Sequence, residues 1–146
     1  MGQYWIPVNL TKKEYVDPHK LGAGLKLWEQ LASHPGTGAA LLILCAAMPE
    51  ARGGGDLKVC GVNEAYEEVA RHTIGRWAGD RIALVGDYAE IDDLPAEDRA
   101  DQIYGHCTDD TGDSVYRDIS DNVCQILEYE LGGRFKGAGW KNFERK

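Results

Sequence analysis

At 146 residues, with 43% hydrophobic and 27% charged side chains, the chain is long enough for one hydrophobic core and too short for two. Its 16 Lys and Arg against 24 Asp and Glu leave a formal net charge of -8, which argues against nucleic acid as a direct ligand because phosphate-binding surfaces need an excess of cations. The longest apolar segment, Ala39 to Met48, falls short of the roughly 20 residues that span a bilayer, and no basic stretch followed by an apolar one opens the chain as a secretory leader would, so the expected setting is cytoplasmic and away from membranes.

From Gln3 to Asp17 the text QYWIPVNLTKKEYVD predicts two short strands joined by a turn at Thr11-Lys12, with aromatic and β-branched residues flanking a polar centre. Pro7 has no N–H for a sheet ladder, so it predicts an edge or irregular position for the first strand. Asp17-Pro18-His19 offers a helix start, and Leu21, Leu25, Trp28 and Leu31 recur at helical spacing, predicting a helix over 18–32 with one apolar face. Gly22 and Gly24 weaken that helix, and imply either close packing or a later start. Residues 39–48 are apolar nearly throughout, so their period decides nothing; Ala, Leu and Met favour a buried helix, while Ile43 and the short length leave a buried strand open.

ARGGGDLKVCG, residues 51–61, predicts a loop, after which Asn63 is placed to cap a helix over 62–72. Arg81 to Val85 has the composition of a core strand. The acidic stretch from Glu90 to Gln102 carries Pro95 and predicts a loop or a short surface helix beginning near Asp93. Asp118 is a candidate N-cap for a helix over 119–131, with Asp121 three residues on and Gly132-Gly133 as its stop. Residues 133–146 carry Phe135, Trp140 and Phe143, so part of this tail is expected to pack on the domain. The resulting expectation is one α+β domain over 1–146, with a small antiparallel or mixed sheet covered by three or four helices.

The stretch RWAGDRIALVGDYAEIDD, residues 76–93, places Gly79-Asp80 before the predicted strand and Gly86-Asp87 after it. Glycine supplies unusual backbone angles and aspartate bonds to the local backbone, so both pairs read as turns. An extended strand at about 3.3 Å per residue would hold the two aspartates roughly 23 Å apart, too far for a catalytic carboxylate pair. Trp77, Asp80, Arg81, Asp87 and Tyr88 are nevertheless the candidate binding residues, because Trp, Tyr and Arg are the side chains that anchor interfaces.

ARGGGD at 51–56 lacks the spacing of the known phosphate-binding loops. HCTDDTGDSVYRDISD, residues 106–121, is the densest run of potential metal ligands; His106, Asp109, Asp110 and Asp113 are the weak candidates, since the spacing fits neither a calcium loop nor zinc, and a solvated acidic turn is the plainer reading. No cofactor is implied. The cysteines at 45, 60, 107 and 124 are too widely spaced for a CxxC pair or a zinc knuckle, and Cys45 and Cys124, in apolar and amphipathic segments, read as buried free thiols. His106-Cys107 is the one adjacent histidine-cysteine pair, and nothing in the spacing orients a base toward a thiol.

YWIPVNLTKKEYVDPHKLGAGLKLWE together with GRWAGDRIALVGDYAE resembles small uncharacterised bacterial proteins that share this hairpin, the Pro-His link and the two Gly-Asp segments. The resemblance covers roughly the first ninety residues and implies a folded module without supplying a reaction. Two functional expectations follow from the residues: a small regulatory protein of the inhibitor or immunity type that binds a protein partner with a basic surface, and alternatively a metal-assisted hydrolase built from Asp80 or Asp87, Arg81 and the 106–121 segment. Oligomeric state and sheet topology are left open by the sequence.

Overall fold

The computed structural model describes residues 3–32, 35–47, 57, 64–108 and 115–135. One four-stranded sheet runs in the order β3-β1-β2-β4, with β1 at Trp5–Asn9, β2 at Glu14–Tyr15, β3 at Ile82–Gly86 and β4 at Arg117–Asp118. Among the described residues the α-helices are α1 Glu29–Ala32, α2 Thr37–Cys45, α3 Glu64–Thr73, α4 Ala100–Thr108 and α5 Ser120–Leu131. The molecule is thus a small α+β domain, and its sheet is mixed: β1 pairs antiparallel with β2 and β3, whereas β2 and β4 run parallel.

The N-terminal hairpin forms as the sequence predicts. The Asn9 side-chain oxygen accepts the Lys12 N–H at 2.8 Å, an Asx-type turn that folds the chain back on itself. Pro7 does not mark an edge, however, because β1 lies between β3 and β2. The Asp87 N–H donates to Tyr4 O at 3.0 Å and the Leu10 N–H to Arg81 O at 2.8 Å. These bonds set the ladder so that Pro7 and Leu84 face each other as a non-hydrogen-bonded pair. Toward β2, Pro7 supplies only its carbonyl, which accepts the Val16 N–H at 3.2 Å just beyond the end of that strand. The missing N–H falls where the ladder has already ended.

Alternation along the strands divides the interior in two. Ile6, Val8 and Val85 point to one side, where they pack with Ile103 and Cys107 of α4 and with Tyr116. Val16, Trp77, Leu21 and the inward residues of α2, α3 and α5 form the larger core on the other side. The helices on this second side leave the far strand partly uncovered: Ile82 and Leu84 of β3 are each 39% exposed. The strand whose composition is that of a core strand lies at the edge of the sheet, with Val85 and Gly86 buried and the rest half-open.

The helix predicted over 18–32 is broken. A 3-10 turn covers Pro18–Leu21, its first N–H groups held by Asp17, and α1 starts only at Glu29. Gly22 ends the turn in the left-handed region at φ 76°, donating its N–H to His19 O at 3.0 Å. A helix cannot pass through that conformation, and the apolar spacing then marks no single face: Leu21 is buried, whereas Trp28 is 72% exposed. Gly22→Ala is expected to cost about 1 kcal/mol of stability, measured as a shifted urea midpoint with an unchanged slope; an unshifted midpoint would mean that the turn relaxes freely.

Of the 39–48 segment, residues 39–45 lie in helix α2 and Met48 lies outside the described residues, but this helix is not wholly buried. Ala40, Ile43 and Leu44 face the core, while Leu42 is 76% exposed. The 62–72 helix appears as α3, and Asn63 lies outside the described residues. The acidic stretch forms two 3-10 turns, the first closed by a reciprocal capping box between Glu90 and Asp93. The helix α4 that follows was not anticipated. In the 119–131 helix the N-cap is Ile119 rather than Asp118. Asp118 acts from one residue earlier, accepting the Ser120 N–H at 2.8 Å, and Gly132 stops the helix at φ 56°.

Candidate functional site

Of the five binding candidates, the fold brings Asp80, Arg81, Asp87 and Tyr88 to the ends of β3 and encloses Trp77. The Asp80 carboxylate accepts from Asn9 Nδ2 at 2.8 Å and from the Lys12 ammonium. Lys12, and then Asn9, hold its carboxyl below the ordinary range. At the other end, Asp87 Oδ1 accepts the Tyr4 N–H at 3.0 Å. Each Gly-Asp pair therefore ties one end of β3 to the N-terminal hairpin, which is turn chemistry rather than acid-base chemistry. Arg81 forks onto Asp98 with N···O distances of 3.1 and 2.5 Å, and Tyr88 is exposed.

Trp77 presents nothing to a partner. It is fully enclosed in the larger core, and its indole N–H donates to Glu14 Oε1 at 3.0 Å. Glu14 is the polar centre that the sequence did not reveal. Only 2% exposed, it also accepts from Arg76 Nε at 2.9 Å and from Arg117 Nη2 at 2.7 Å. Burial works to raise its pKa, but the Arg76, Trp77 and Arg117 donors together outweigh that effect and hold the carboxyl below its ordinary value. The cluster joins β2, β4 and the turn after α3, so its effect is to position elements.

Beside it opens a cleft of about 330 Å³ lined by Thr73, Arg76, Arg117, Asp118 and Asp121 among others. The charges there are largely consumed internally: both arginines serve Glu14, and Asp118 pairs with Lys20 at 2.7 Å. His106 is half-buried with its ring stacked on Tyr116 at a centroid distance of 6.2 Å. Asp109, Asp110 and Asp113 lie outside the described residues. Among the described residues no three His, Cys, Asp or Glu side chains converge as a metal site.

His106 and Cys107 share α4 but not an environment. Burial pushes the Cys107 thiol up to about 12, so it has almost no thiolate at neutral pH. Cys124 is likewise buried, its thiol directed at Lys20 O. Neither is expected to react with a thiol-directed disulfide reagent at pH 8 in the folded protein, and both should react in denaturant; rapid labelling of Cys107 in the native state would contradict this packing.

What distinguishes the surface is the free side of β3. Because residues 81, 83, 85 and 87 bond to β1, the N–H and C=O groups of Ile82 and Leu84 point away from the sheet. A groove of about 310 Å³ opens at the Gly86 end of this strand, lined by Trp5, Leu84 and Gly86 together with Tyr88, Asp93 and Leu94 of the segment that follows it. The opposite edge is different in kind: β4 is two residues long, both charged, and short charged edges discourage pairing. Within Ile82–Gly86 there is no charge and no proline, so this edge has none of those safeguards.

Among the described residues no helix is long and apolar enough to cross a membrane. Comparison with protein-family models, with curated proteins and with solved structures returned no match.

Proposed function

We propose that this protein is a protein-binding module, of the regulatory kind expected from its size and charge, and that it receives an extended segment of its partner on the free edge of β3. The observation that carries this reading is that the outward main-chain groups of Ile82 and Leu84 have no partner among the described residues, beside half-exposed apolar side chains. Strand addition draws affinity from main-chain hydrogen bonds and selectivity from alternate side chains. Asp87, Glu90, Asp92, Asp93 and Glu97 follow β3 closely in the chain and are exposed, which favours basic side chains on a heterologous partner. Buried thiols at Cys107 and Cys124 fit a reducing compartment such as the cytoplasm.

A random heptapeptide display selection on the full chain tests this reading. The expected outcome is extended sequences of alternating apolar residues, enriched in Lys or Arg, whose binding slows hydrogen exchange at the Ile82 and Leu84 amides. Selected peptides that leave those two amides unprotected would sink the assignment. The hydrolase alternative gains no support from the carboxylates it invoked, since Asp80 and Asp87 stand at opposite ends of β3 and each is engaged with the hairpin.

A further inference from the structure

The groove at the Gly86 end of β3 carries one sign of charge. Asp93 is the one charged residue in its lining, and from Ile82 to Asp98 the chain has no Lys, Arg or His. Asp87, Glu90, Asp92, Asp93 and Glu97 are all exposed, and among the described residues none of these five carboxylates is in an ion pair. Asp87 and Asp93 accept the Tyr4 and Glu90 N–H groups at 3.0 and 2.8 Å, but those donors are neutral and leave the negative charges in place. The cleft beside Glu14 differs, since arginines and aspartates share its wall. A groove with acid and no base in its wall favours a cation.

The rest of the lining suits a guanidinium. Trp5 is half-buried and Tyr88 59% exposed, and aromatic faces attract cations. The Gln3 side-chain amide lies over Gly86, in the space that a side chain there would fill, and its oxygen is a further acceptor. Asp93 spends Oδ2 on the Glu90 N–H and keeps Oδ1. A guanidinium is planar, stacks on rings, forks onto carboxylates and carries five donors, whereas an ammonium is a compact, strongly hydrated charge with three. At about 310 Å³ the groove lies at the small end of ligand sites, which fits one long side chain better than a cofactor.

We infer that this groove holds an arginine side chain of the segment that adds to β3. The inference rests on the strand-addition reading of that edge and deepens it. Side chains alternate along an added strand, so the residue two positions past the one facing Leu84 lies on the same face, about 7 Å nearer the Gly86 end. Only its side chain has to reach the groove, because the main-chain pairing ends at Leu84. Gly86 is buried, with its carbonyl on the Ala89 N–H at 3.2 Å, and is not asked to pair. Arg81 stays forked onto Asp98.

Two probes test this on the full chain. N-acetylarginine methylamide reports on the groove alone, with the citrulline compound as its neutral isostere. At constant ionic strength the arginine compound is expected to shift the Trp5 indole N–H signal saturably at millimolar concentrations, and the citrulline compound to leave it in place. Asp93→Asn keeps an oxygen for the Glu90 N–H and removes the charge, while Tyr88→Ala removes an exposed ring. Each is expected to raise the dissociation constant about fivefold, with the circular dichroism unchanged. The second probe is a display-selected heptapeptide that protects the Ile82 and Leu84 amides. Replacing its arginine by citrulline is expected to weaken binding about tenfold on the wild type and no more than about twofold on Asp93→Asn.

A Trp5 signal that moves alike with arginine and citrulline, or that stays still at tens of millimolar, overturns the inference. Selected peptides that protect both amides but carry no arginine, or bind as tightly with citrulline, overturn it too and leave strand addition standing. Arginine-specific shifts at Trp5 with no peptide protecting Ile82 and Leu84 would end strand addition, and with it the placement of the arginine on an added strand.

Discussion

Replacing Glu14 by alanine is expected to lower the unfolding free energy by about 3 kcal/mol, because breaking a buried ion pair strands its partners. Three donors lose their acceptor at once, Arg76, Arg117 and the Trp77 indole. The figure belongs at the low end for such a change because Arg117 is mostly exposed and can turn to water, while Trp77 is enclosed and cannot. Glu14→Gln keeps the shape and one acceptor oxygen and should cost less.

The same residue contributes a pH dependence of known sign. The folded-state pKa of Glu14 lies below its ordinary value of 4.5, so its contribution is complete above that value and is lost as pH falls through the lower folded pKa. Urea unfolding of the wild type and of Glu14→Gln, followed from pH 7 down to pH 3, should therefore converge as the solution becomes more acidic. Curves that stay parallel throughout would show that the carboxylate charge contributes nothing.

Trp77→Ala should cost about 3–5 kcal/mol, the range for removing a large aromatic side chain from a packed core. Trp77 is completely buried, and its removal also takes a hydrogen-bond donor from Glu14. Trp77→Phe keeps much of the volume and should cost about 1–2 kcal/mol. The sequence marked Trp77 as a candidate interface anchor, which predicts the reverse pattern of an intact fold with lost binding. Equilibrium unfolding of both variants separates the two: an alanine variant as stable as the wild type would require Trp77 to be outside the core.

The elements that local chemistry dictates were legible in the sequence. The hairpin was signalled by its turn residues, α2 by its composition, α5 by its apolar period and its glycine stop, and β3 by β-branched and apolar residues between two Gly-Asp turns. The 18–32 segment misled because its leucine spacing is helical while Gly22 sits at φ 76°, a conformation that periodicity does not register. Helix α4 was missed because the 90–102 stretch reads as surface acid, and only Ile103 and Cys107 packing on β1 and β3 make the following turns helical.

The candidate site divides in the same way. Asp80, Arg81, Asp87 and Tyr88 were found because turns and exposed polar residues leave local signals, whereas Glu14 left none. A glutamate in a hairpin arm looks like solvated surface until the chain delivers Arg76 and Arg117 from 62 and 103 residues away. By itself the sequence determined which short segments could be strand, helix or turn, since those preferences act over a few bonds. The tertiary structure alone decided that β1 is interior and β3 is the open edge, that Trp77 is core and Glu14 its polar anchor. Strand order and burial are set by contacts between residues far apart in the chain, and no local preference encodes them.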